Sequence, residues 1–433
     1  MGQRWAKEIM SEIGGDKLDV WALPHLSDPY SAYRQMREQD PLNYSPATCR
    51  WRLTRHADIT AVLRDERFGF TEPVLTLPMW NVLAGAANEA ARRGDRSANA
   101  DLMHWLLLQR KVFEMRQLWI LLLNPPAHTR LRGLVQPDLN VSAVARWSSA
   151  IQATADALVD RLPERGEMDL IRDFAAPLTL AVTLQVLGIP PRDHAWFAQL
   201  SNELGHFLHA ESTPVNFHRM GGAAIRLTEY FQRLIQERRE PYGEDVIGTL
   251  IRAYKAGKLN EDELLANSVL LAVGGHTTTR PMLGNAMRAL LQHRDQWRLL
   301  HEQPELVSGA VEECLRYDVP AQIAGRRAFA DVNLNGATIK KGEWVNLILG
   351  AGNRDPEAFP EPERFDITRS PNPHLAFGHG IHYCLGAHLA RATARIAFST
   401  LARRLPQLAL REGALEQATT QHLRGLKALP VIF

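Results

Sequence analysis

Residues 377–386 read FGHGIHYCLG and place one cysteine, Cys384, among three glycines, two histidines and a phenylalanine. Glycine permits backbone conformations with positive φ and lets other groups approach the chain closely. Backbone N–H groups turned toward Cys384 would hydrogen-bond its sulfur, which favours a thiolate and tunes it as a metal ligand. A helix is predicted directly after this segment, and its positive N-terminal end adds to the effect. We therefore interpret 377–386, called the cysteine loop below, as a loop that exposes Cys384 and stabilises its sulfur as an electron-rich thiolate.

The composition of the 433-residue chain limits its function. With 45% hydrophobic residues it can bury a large core. A formal net charge of +2 without a long Lys/Arg block argues against a nucleic-acid or membrane-surface partner. The first residues, MGQRWAKEIMSEIGGDKLDV, lack the apolar stretch of a signal peptide, and the apolar run 118–123 is far shorter than the ~20 residues of a membrane span. We expect a soluble cytoplasmic protein.

The cysteines at positions 49, 314 and 384 are too few and too scattered for a disulfide framework. No C-x-x-C pair or Cys/His zinc spacing accompanies them. The glycine-rich setting of Cys384 therefore needs its own explanation, and the alternative to a ligand is a buried cysteine in a tight turn.

Helical periodicity dominates the chain. Apolar residues recur at three- and four-residue spacing in several segments; these are 144–161, 222–239, 261–292, 305–317 and 386–404. Strand signals are short and lie at 50–56 and within 326–349, where Asn335-Gly336 marks a hairpin turn. No βαβ alternation is visible, which argues against a nucleotide-binding Rossmann unit.

The cysteine loop resembles the F-G-x-G-x-H-x-C-x-G signature of the cytochrome P450 family at every fixed position, and the resemblance extends from about residue 27 to the end of the chain. It implies the cytochrome P450 fold, mainly α with small β-sheets, as a single domain over 1–433. It also implies haem b with Cys384 as the metal ligand, in the soluble bacterial type of the family. Phe377, Gly378 and Gly386 would form the protein side of this ligand site, and such a sulfur suits haem iron.

Two further segments resemble structural motifs of the family. Glu313-Cys314-Leu315-Arg316 fits E-x-x-R, in which Glu313 and Arg316 share a helix face and can pair. Pro362-Glu363-Arg364-Phe365 fits P-x-R-F, and the resemblance implies that Arg364 joins the pair. The expected role of all three residues is structural.

Basic residues match the positions that hold haem propionates in the family. Residues 124–132, NPPAHTRLR, resemble D-P-P-x-H-T-R-x-R and thereby assign His128 and Arg132, while Arg326 and His382 match two further positions. Basic side chains suit a carboxylate partner, although each could also be an ordinary surface charge. Asn124 stands where the family has Asp, a change that we expect to matter little.

The central helix departs from the family pattern [AG]-G-x-[DE]-T-[TS] on the oxygen-binding side. It reads Gly274-Gly275-His276-Thr277-Thr278-Thr279, so the two glycines, which would open the helix locally, and the oxygen-binding Thr278 match. The acid does not match, because Thr277 occupies its position. A threonine has no pKa near neutrality and can only hold a water, so it cannot supply the protons that oxygen activation needs.

Three functions remain open from this departure. In the first, water, His276 or a substrate group carries the protons, and the protein is a monooxygenase of a mid-sized, largely apolar metabolite in bacterial secondary metabolism. In the second, the reaction needs little protonation, as in oxidative coupling, cyclisation, nitration, nitrogen-group transfer or peroxide-driven oxidation. In the third, the protein is a non-catalytic haem sensor, which Thr278 and the cysteine loop argue against.

The resemblance also indicates where substrate would bind. Leu270 and Val273 on the central helix, and Gln322 and Ile323 after the E-x-x-R helix, are predicted to line an apolar pocket. Residues 78–123 form an enlarged substrate-side loop with extra helical pieces, and 203–219 a movable cap. Aromatic, methionine and histidine side chains of these two segments would contact substrate or simply pack and solvate them; they are Trp80, Met103, Trp105, Phe113, Trp119, His206, His209 and His218.

His388, Arg391 and Arg395 on the helix after the cysteine loop form a basic face that would suit an acidic ferredoxin. No fused flavin or iron–sulfur domain is recognisable in the sequence. We therefore expect ferredoxin and ferredoxin reductase as separate electron donors, unless peroxide is used, and a monomeric protein.

Overall fold

The computed structural model describes residues 28–46, 48–70, 110–162, 166–204, 214–413, 415–418 and 423–433. Helices make up most of this part of the chain. They are α1 (Tyr30–Gln39), α2 (His56–Arg64), α3 (Ala127–Val135), α4 (Val141–Ala145), α5 (Ser148–Val159), α6 (Ala176–Leu187), α7 (His194–Leu204), α8 (Pro214–Glu237), α9 (Val246–Lys255), α10 (Glu261–Thr277), α11 (Thr279–Gln292), α12 (Arg294–Glu302), α13 (Val307–Tyr317), α14 (Leu349–Gly352) and α15 (Ala387–Arg404). A further helical segment covers 110–117, and a π-helix, Ile171–Ala175, leads into α6.

Short strands form small sheets beside the helices. The strands are β1 (Leu42–Ser45), β2 (Arg50–Leu53), β3 (Phe68–Gly69), β4 (Glu167–Asp169), β5 (Ile323–Ala328), β6 (Val332–Leu334), β7 (Ala337–Ile339), β8 (Trp344–Ile348), β9 (Ala409–Leu410), β10 (Gln417–Ala418), β11 (Gly425–Leu426) and β12 (Pro430–Ile432). The largest sheet has the order β1-β2-β8-β5-β3, in which β2 and β8 run parallel and the other neighbours antiparallel. The mainly α architecture with small sheets is as predicted.

Helix α10 is central because almost every face of it is buried. It begins at a capping box, where the Asn260 side chain accepts the N–H of Glu263 and the Glu263 carboxylate accepts the N–H of Asn260. One apolar cluster packs α10 against α6, α8 and α9, and a second joins α5, α11, α13 and α15. The helix predicted over 261–292 is in fact two helices, α10 and α11, which meet at Thr278.

The structure gives the exact bounds of one predicted strand and the geometry of one predicted turn. The strand predicted over 50–56 ends at Leu53, because α2 begins at His56. Asn335 and Gly336 both adopt positive φ, 47° and 82°, and close the β6–β7 hairpin as a two-residue turn. Among the described residues, no helix combines the length and the apolar character that crossing a membrane would require.

Candidate active site

A cavity of about 490 Å³ lies between α10 and the cysteine loop. Its walls come from α6, α10, the segment after α13, β5 and the start of α15. Most lining side chains are apolar and include Val182, Leu270, Leu271, Ile323, Leu389 and Leu423. Cys384 and Thr278 both line this cavity, so a sulfur and a hydroxyl are presented to one largely apolar space.

The cysteine loop is a tight turn that packs against the end of α2. Gly378 and Gly380 adopt positive φ, 67° and 70°, and the N–H of Cys384 donates to the carbonyl of Phe377 at 2.9 Å. A Cβ atom on Gly380 would lie 2.3 Å from the carbonyl oxygen of Leu63. Glycine is therefore required at 380 for conformation and for close approach at once.

The sulfur of Cys384 lies among groups that favour its negative form. Burial raises the pKa of Cys384, while a hydrogen bond from the Gly386 N–H and the charges of Arg132 and Arg391 oppose that increase. Gly386 is the residue before α15, so the N-terminal end of that helix faces the sulfur. This environment suits a thiolate whose proton is replaced by a metal cation.

Four basic side chains predicted from the sequence line the same cavity: His128, Arg132, Arg326 and His382. The rings of His128 and His382 lie 4.3 Å apart, and neither ring nitrogen of His128 has a hydrogen-bond partner in the described part of the chain. Burial, followed by the nearby charges of Arg326, His128 and Arg132, lowers the pKa of His382 to about 3. Burial also lowers the pKa of Arg326 to about 10. The cluster is thus rich in donors and poor in acceptors.

Phe70 belongs to this cluster but was missed by sequence reasoning. Its ring lies 4.6 Å from the guanidinium of Arg326 and 5.0 Å from the ring of His382. The Asn124 amide accepts the N–H of Phe70 at 3.0 Å and also donates to its carbonyl oxygen. A carboxylate at 124 could accept but not donate, so the amide makes a contact here that the family's Asp could not make.

Thr278 lies where α10 gives way to α11. Its hydroxyl donates to the carbonyl of Gly274 at 2.9 Å, and both residues line the cavity. A Cβ atom at Gly274 would have no neighbour within 4 Å, so this glycine faces open space. The structure therefore brings Thr278 and Gly274 to the same cavity as Cys384.

The neighbouring residues of the same motif serve packing. Gly275 also lines the cavity, and a Cβ there would lie 2.7 Å from Cγ2 of Thr183, so this glycine permits close contact with α6 at the cavity wall. His276 and Thr277 are buried and do not line the cavity. The Thr277 hydroxyl donates to the carbonyl of Val273, and burial, with the charge of Arg280, lowers the pKa of His276 to about 3. His276 is therefore neutral near neutral pH and is badly placed to deliver protons, which corrects its predicted catalytic role.

Two of the four predicted substrate-lining residues line the cavity and two do not. Leu270 and Ile323 line the cavity, whereas Val273 and Gln322 do not. Val273 is fully buried within the helical core. The Gln322 amide turns into the protein and donates to the carbonyl of Val319 at 2.6 Å. The predictions for Val273 and Gln322 are thus wrong, because adjacent residues in a helix or an extended segment point in different directions.

Glu313 and Arg316 form a buried pair, with 2.8 Å between Glu313 Oε2 and Arg316 Nε. The second arginine in contact with Glu313 is Arg369, whose Nε lies 3.2 Å from Oε2. Arg364, predicted for this position, is 61% exposed and pairs with Glu361 and Asp366. It contributes only its backbone carbonyl, which accepts from Arg316 at 3.0 Å. The prediction for Arg364 is therefore corrected in favour of Arg369.

Glu312 adds a contact behind the cysteine loop that the sequence did not reveal. Both of its oxygens accept from Arg391, at 2.7 Å each, and His374 Nε2 lies 2.9 Å from Oε2. Arg391 also donates to the Tyr383 hydroxyl and lies 4.5 Å from the ring of Phe377. Arg391 thus braces the cysteine loop, and its charge is compensated rather than presented on a basic face.

Part of the substrate-side predictions lies outside the described residues, namely Trp80, Met103, Trp105, His206 and His209, together with the side chain of His218. Trp119 is fully buried and packs in the core, and Phe113 lies half-buried in the helical segment 110–117. Neither residue lines the cavity. The wall is instead formed by Ile120, Leu121 and Leu122.

Comparison with known proteins gives the family. The cytochrome P450 family model matches residues 207–422. The biotin biosynthesis cytochrome P450 of Bacillus subtilis (strain 168) is 35% identical over 94% of this chain and 97% of its own length. The chain belongs to the cytochrome P450 family. The cytochrome P450 monooxygenase PikC of Streptomyces venezuelae is also 35% identical, over 96% of this chain and 94% of its own.

The fold of this P450 is equally similar to solved structures. P450BioI, in complex with an acyl carrier protein ligated to hexadec-9Z-enoic acid, superposes with a TM-score of 0.83 at 33% identity, covering 95% of this chain and 100% of that one. The cytochrome P450 fold and an oxidoreductase of the haem-thiolate class follow from this membership.

The cavity of this P450 fits the haem that the family carries. Within the described residues, no group of three or more His, Cys, Asp and Glu side chains could hold a metal ion by itself. The single sulfur of Cys384 therefore suits an iron whose other ligands come from a porphyrin. The buried donors without acceptors on His128 and His382, and the mostly buried Arg326, suit carboxylates at the porphyrin edge.

Proposed function

We propose that this protein is an oxygen-dependent monooxygenase that binds haem b through Cys384 and oxidises a mid-sized, largely apolar metabolite in bacterial secondary metabolism. The observation that carries the proposal is that Cys384 and Thr278 line one apolar cavity beside a cluster of buried basic groups. Haem with a thiolate ligand supplies oxygen activation, because the sulfur pushes electron density toward iron and favours O–O cleavage.

Residues of this chain would stabilise the sulfur ligand and bind the haem propionates. Burial opposes the anionic form of the sulfur, while the Gly386 N–H and the charges of Arg132 and Arg391 favour it, and its deprotonation would be complete once it binds iron. Arg132, Arg326, His128 and His382 would hold the propionates. The burial of His128 and Arg326 excludes water and strengthens their contacts.

On the opposite side of the cavity, Thr278 would hold a water near Gly274, where the open space beside the glycine admits a small molecule. Leu270, Leu271 and Ile323 supply apolar walls that favour a hydrocarbon portion of substrate. The fatty-acyl ligand in the complex of P450BioI supports an extended apolar substrate for this chain as well.

A second candidate reaction is favoured by Thr277. The position that carries an acid in the family motif has a hydroxyl that donates to the carbonyl of Val273 and does not reach the cavity. A reaction that needs little protonation, such as oxidative coupling, cyclisation, nitration, nitrogen-group transfer or peroxide-driven oxidation, would tolerate this change. The non-catalytic sensor gains no support from the site.

Electrons would come from ferredoxin and ferredoxin reductase acting on the face around α15. Arg395 is exposed there and His388 is half-buried, while Arg391 is neutralised by Glu312. The attractive charge is therefore smaller than the sequence suggested, and we infer a modest dependence of association on salt. We further propose a cytoplasmic, monomeric protein that works as one domain over 1–433.

The ligand assignment is tested by replacing Cys384 with His and recording the reduced carbon-monoxide complex. We expect the wild type to give the red-shifted Soret band of thiolate ligation and the variant to lose it while still binding haem. Retention of the thiolate band in the variant would show that another residue is the ligand. Arg364→Ala, which changes an exposed side chain, is the matched control and should keep the wild-type band.

A further inference from the structure

Two segments of the cavity wall are joined by their backbones. Pro320, Ala321 and Ile323 follow α13, and Leu423 precedes β11; all four line the cavity. The N–H of Arg424 donates to the carbonyl of Pro320 at 2.8 Å, and Ala321 pairs with Leu423 as an isolated antiparallel bridge. This junction is short, because β11 is only two residues long.

A buried ionic cluster lies directly behind this junction and does not line the cavity. Asp318, 2% exposed, accepts from Arg424 Nε at 2.8 Å and from the Tyr30 hydroxyl at 2.7 Å, and it also pairs with Arg288. The Asn285 amide reaches both sides of the junction, since it donates to the carbonyl oxygens of Asp318 and Arg424 at 3.3 and 3.1 Å. The cluster is called the Asp318 cluster below.

The charges in the Asp318 cluster depend on one another. Burial by itself would raise the pKa of Asp318, but the charges of Arg424 and Arg288 and the hydrogen bond from Tyr30 keep it below its ordinary value. Burial by itself would lower the pKa of Arg424, but nearby groups, chiefly Asp318, outweigh this effect and raise the pKa above its ordinary value. A buried ion pair of this kind holds one geometry, because any displacement leaves charges unpaired away from water.

We propose that Arg424 is a positioning residue whose ion pair with Asp318 fixes Leu423 against Ala321 and thereby sets the shape of the substrate-facing wall. The proposal rests on the proposed function, since it assumes that haem and substrate occupy this cavity. It predicts that loss of the ion pair alters binding of large ligands while leaving haem ligation and binding of small ligands intact.

Three variants separate this role from a general loss of stability. Arg424→Met removes the charge next to the wall and leaves Asp318 paired with Arg288 and Tyr30. Arg288→Met is the matched control, because it removes a second arginine that pairs with Asp318 but lies on α11 and is not adjacent in sequence to Leu423 or Ala321. Arg424→Lys restores a positive charge at the original position.

The haem-loaded variants are titrated with imidazole, a small ligand that needs no contact with the wall, and with clotrimazole, a much larger ligand that we expect to contact it. We expect Arg424→Met to bind clotrimazole roughly tenfold more weakly and to bind imidazole as the wild type does. Arg288→Met should bind both as the wild type, and Arg424→Lys should recover most of the clotrimazole affinity. Unchanged clotrimazole binding in Arg424→Met, or an equal loss in Arg288→Met, would overturn the proposal.

Amide hydrogen exchange provides a second measurement that needs no ligand. Arg424→Met should speed exchange in peptides covering 320–325 and 423–426 more than Arg288→Met does, and equal protection in the two variants would contradict the positioning role. The reduced carbon-monoxide spectrum of the wild type tests the proposed function separately. Absence of the thiolate band there would reject the haem-thiolate assignment. The exchange experiment would remain a valid test of whether Arg424 holds the two wall segments together, because it does not depend on the identity of the iron ligand.

Discussion

His276 on α10 and Thr179 on α6 lie 2.9 Å apart, measured from Nδ1 to Oγ1, and Thr179 also lines the cavity. One residue earlier, Gly275 leaves room for Thr183, whose hydroxyl donates to the carbonyl of Thr179. The His276–Thr179 and Gly275–Thr183 contacts pack α10 closely against α6 next to Thr278. The family motif in this chain therefore combines residues that line the cavity, Gly274, Gly275 and Thr278, with close packing of Gly275 and His276 against α6.

Gly275→Ala is expected to destabilise the protein. The added Cβ would lie 2.7 Å from Thr183, and a β-branched side chain in a packed interface cannot move aside freely. We expect a loss of about 1–3 kcal/mol in the free energy of unfolding, measured by denaturant unfolding of the haem-loaded protein.

Gly274→Ala is the matched control for this change. Its Cβ meets nothing within 4 Å, and alanine is favoured over glycine in a helix by up to about 1 kcal/mol. Stability should stay the same or rise slightly, while the smaller space near Thr278 weakens binding of small iron ligands. A larger loss of stability at 274 than at 275 would contradict the assignment of the close packing contact to Gly275.

The buried triad around Glu313 predicts different effects for two nearby arginines. Arg369→Ala leaves the fully buried Glu313 with one fewer cation and should cost about 3 kcal/mol or more. Arg364→Ala removes an exposed side chain and should cost less than about 1 kcal/mol. Thermal unfolding and haem retention measure both, and a reversed order would restore the original prediction for Arg364.

The Glu312–Arg391 pair predicts a pH dependence of stability. The Arg391 and His374 contacts lower the pKa of Glu312 to about 2, although burial by itself would raise it. A lowered folded pKa stabilises the protein above the ordinary value of 4.5, and that stabilisation disappears as the pH falls through 2.

Glu312→Gln should therefore lose about 2–3 kcal/mol at neutral pH, and its difference from the wild type should shrink as the pH falls below the ordinary pKa. Urea unfolding at a series of pH values measures the difference. A gap that stays constant down to acidic pH would mean that the ion pair contributes nothing through ionisation.

The threonines at 277 and 278 should differ in their effect on oxygen chemistry. Thr277→Val removes a hydroxyl that donates to Val273 and should leave the ratio of product to released hydrogen peroxide unchanged. Thr278→Val removes the hydroxyl that lines the cavity and should release roughly tenfold more peroxide per electron pair.

A further variant, Thr277→Glu, distinguishes the two candidate reactions. If an added acid leaves product formation and its solvent isotope effect as in the wild type, water already supplies the protons and monooxygenation is favoured. A strong increase in coupling would instead indicate a weak native relay and favour the reactions that need little protonation.

The sequence was informative where a motif fixes a residue in a short segment. The loop from Phe377 to Gly386, the basic residues that line the cavity and the pair Glu313–Arg316 could all be located, because glycines, charges and helix spacing constrain them locally. The mainly α fold also follows from periodicity.

Other features depend on contacts between distant segments. Arg369 replaces Arg364 beside Glu313 because the irregular chain after 355 turns one arginine outward and another inward, which no local pattern reveals. Phe70 reaches the basic cluster through Asn124, 54 residues later, and Gln322 turns away from the cavity it was predicted to line. Such side-chain directions are set by tertiary packing.

The number of cysteines that can be alkylated should report whether the protein contains haem. Cys49 is exposed and Cys314 is buried, and burial, with nearby Glu313 and Asp318, keeps the pKa of the Cys314 thiol well above its usual value. Cys384 opens on the cavity and would be covered when iron binds its sulfur. A mild alkylating reagent should therefore modify only Cys49 in the loaded protein and a second thiol once haem is removed, so mass spectrometry can report occupancy without any optical signal.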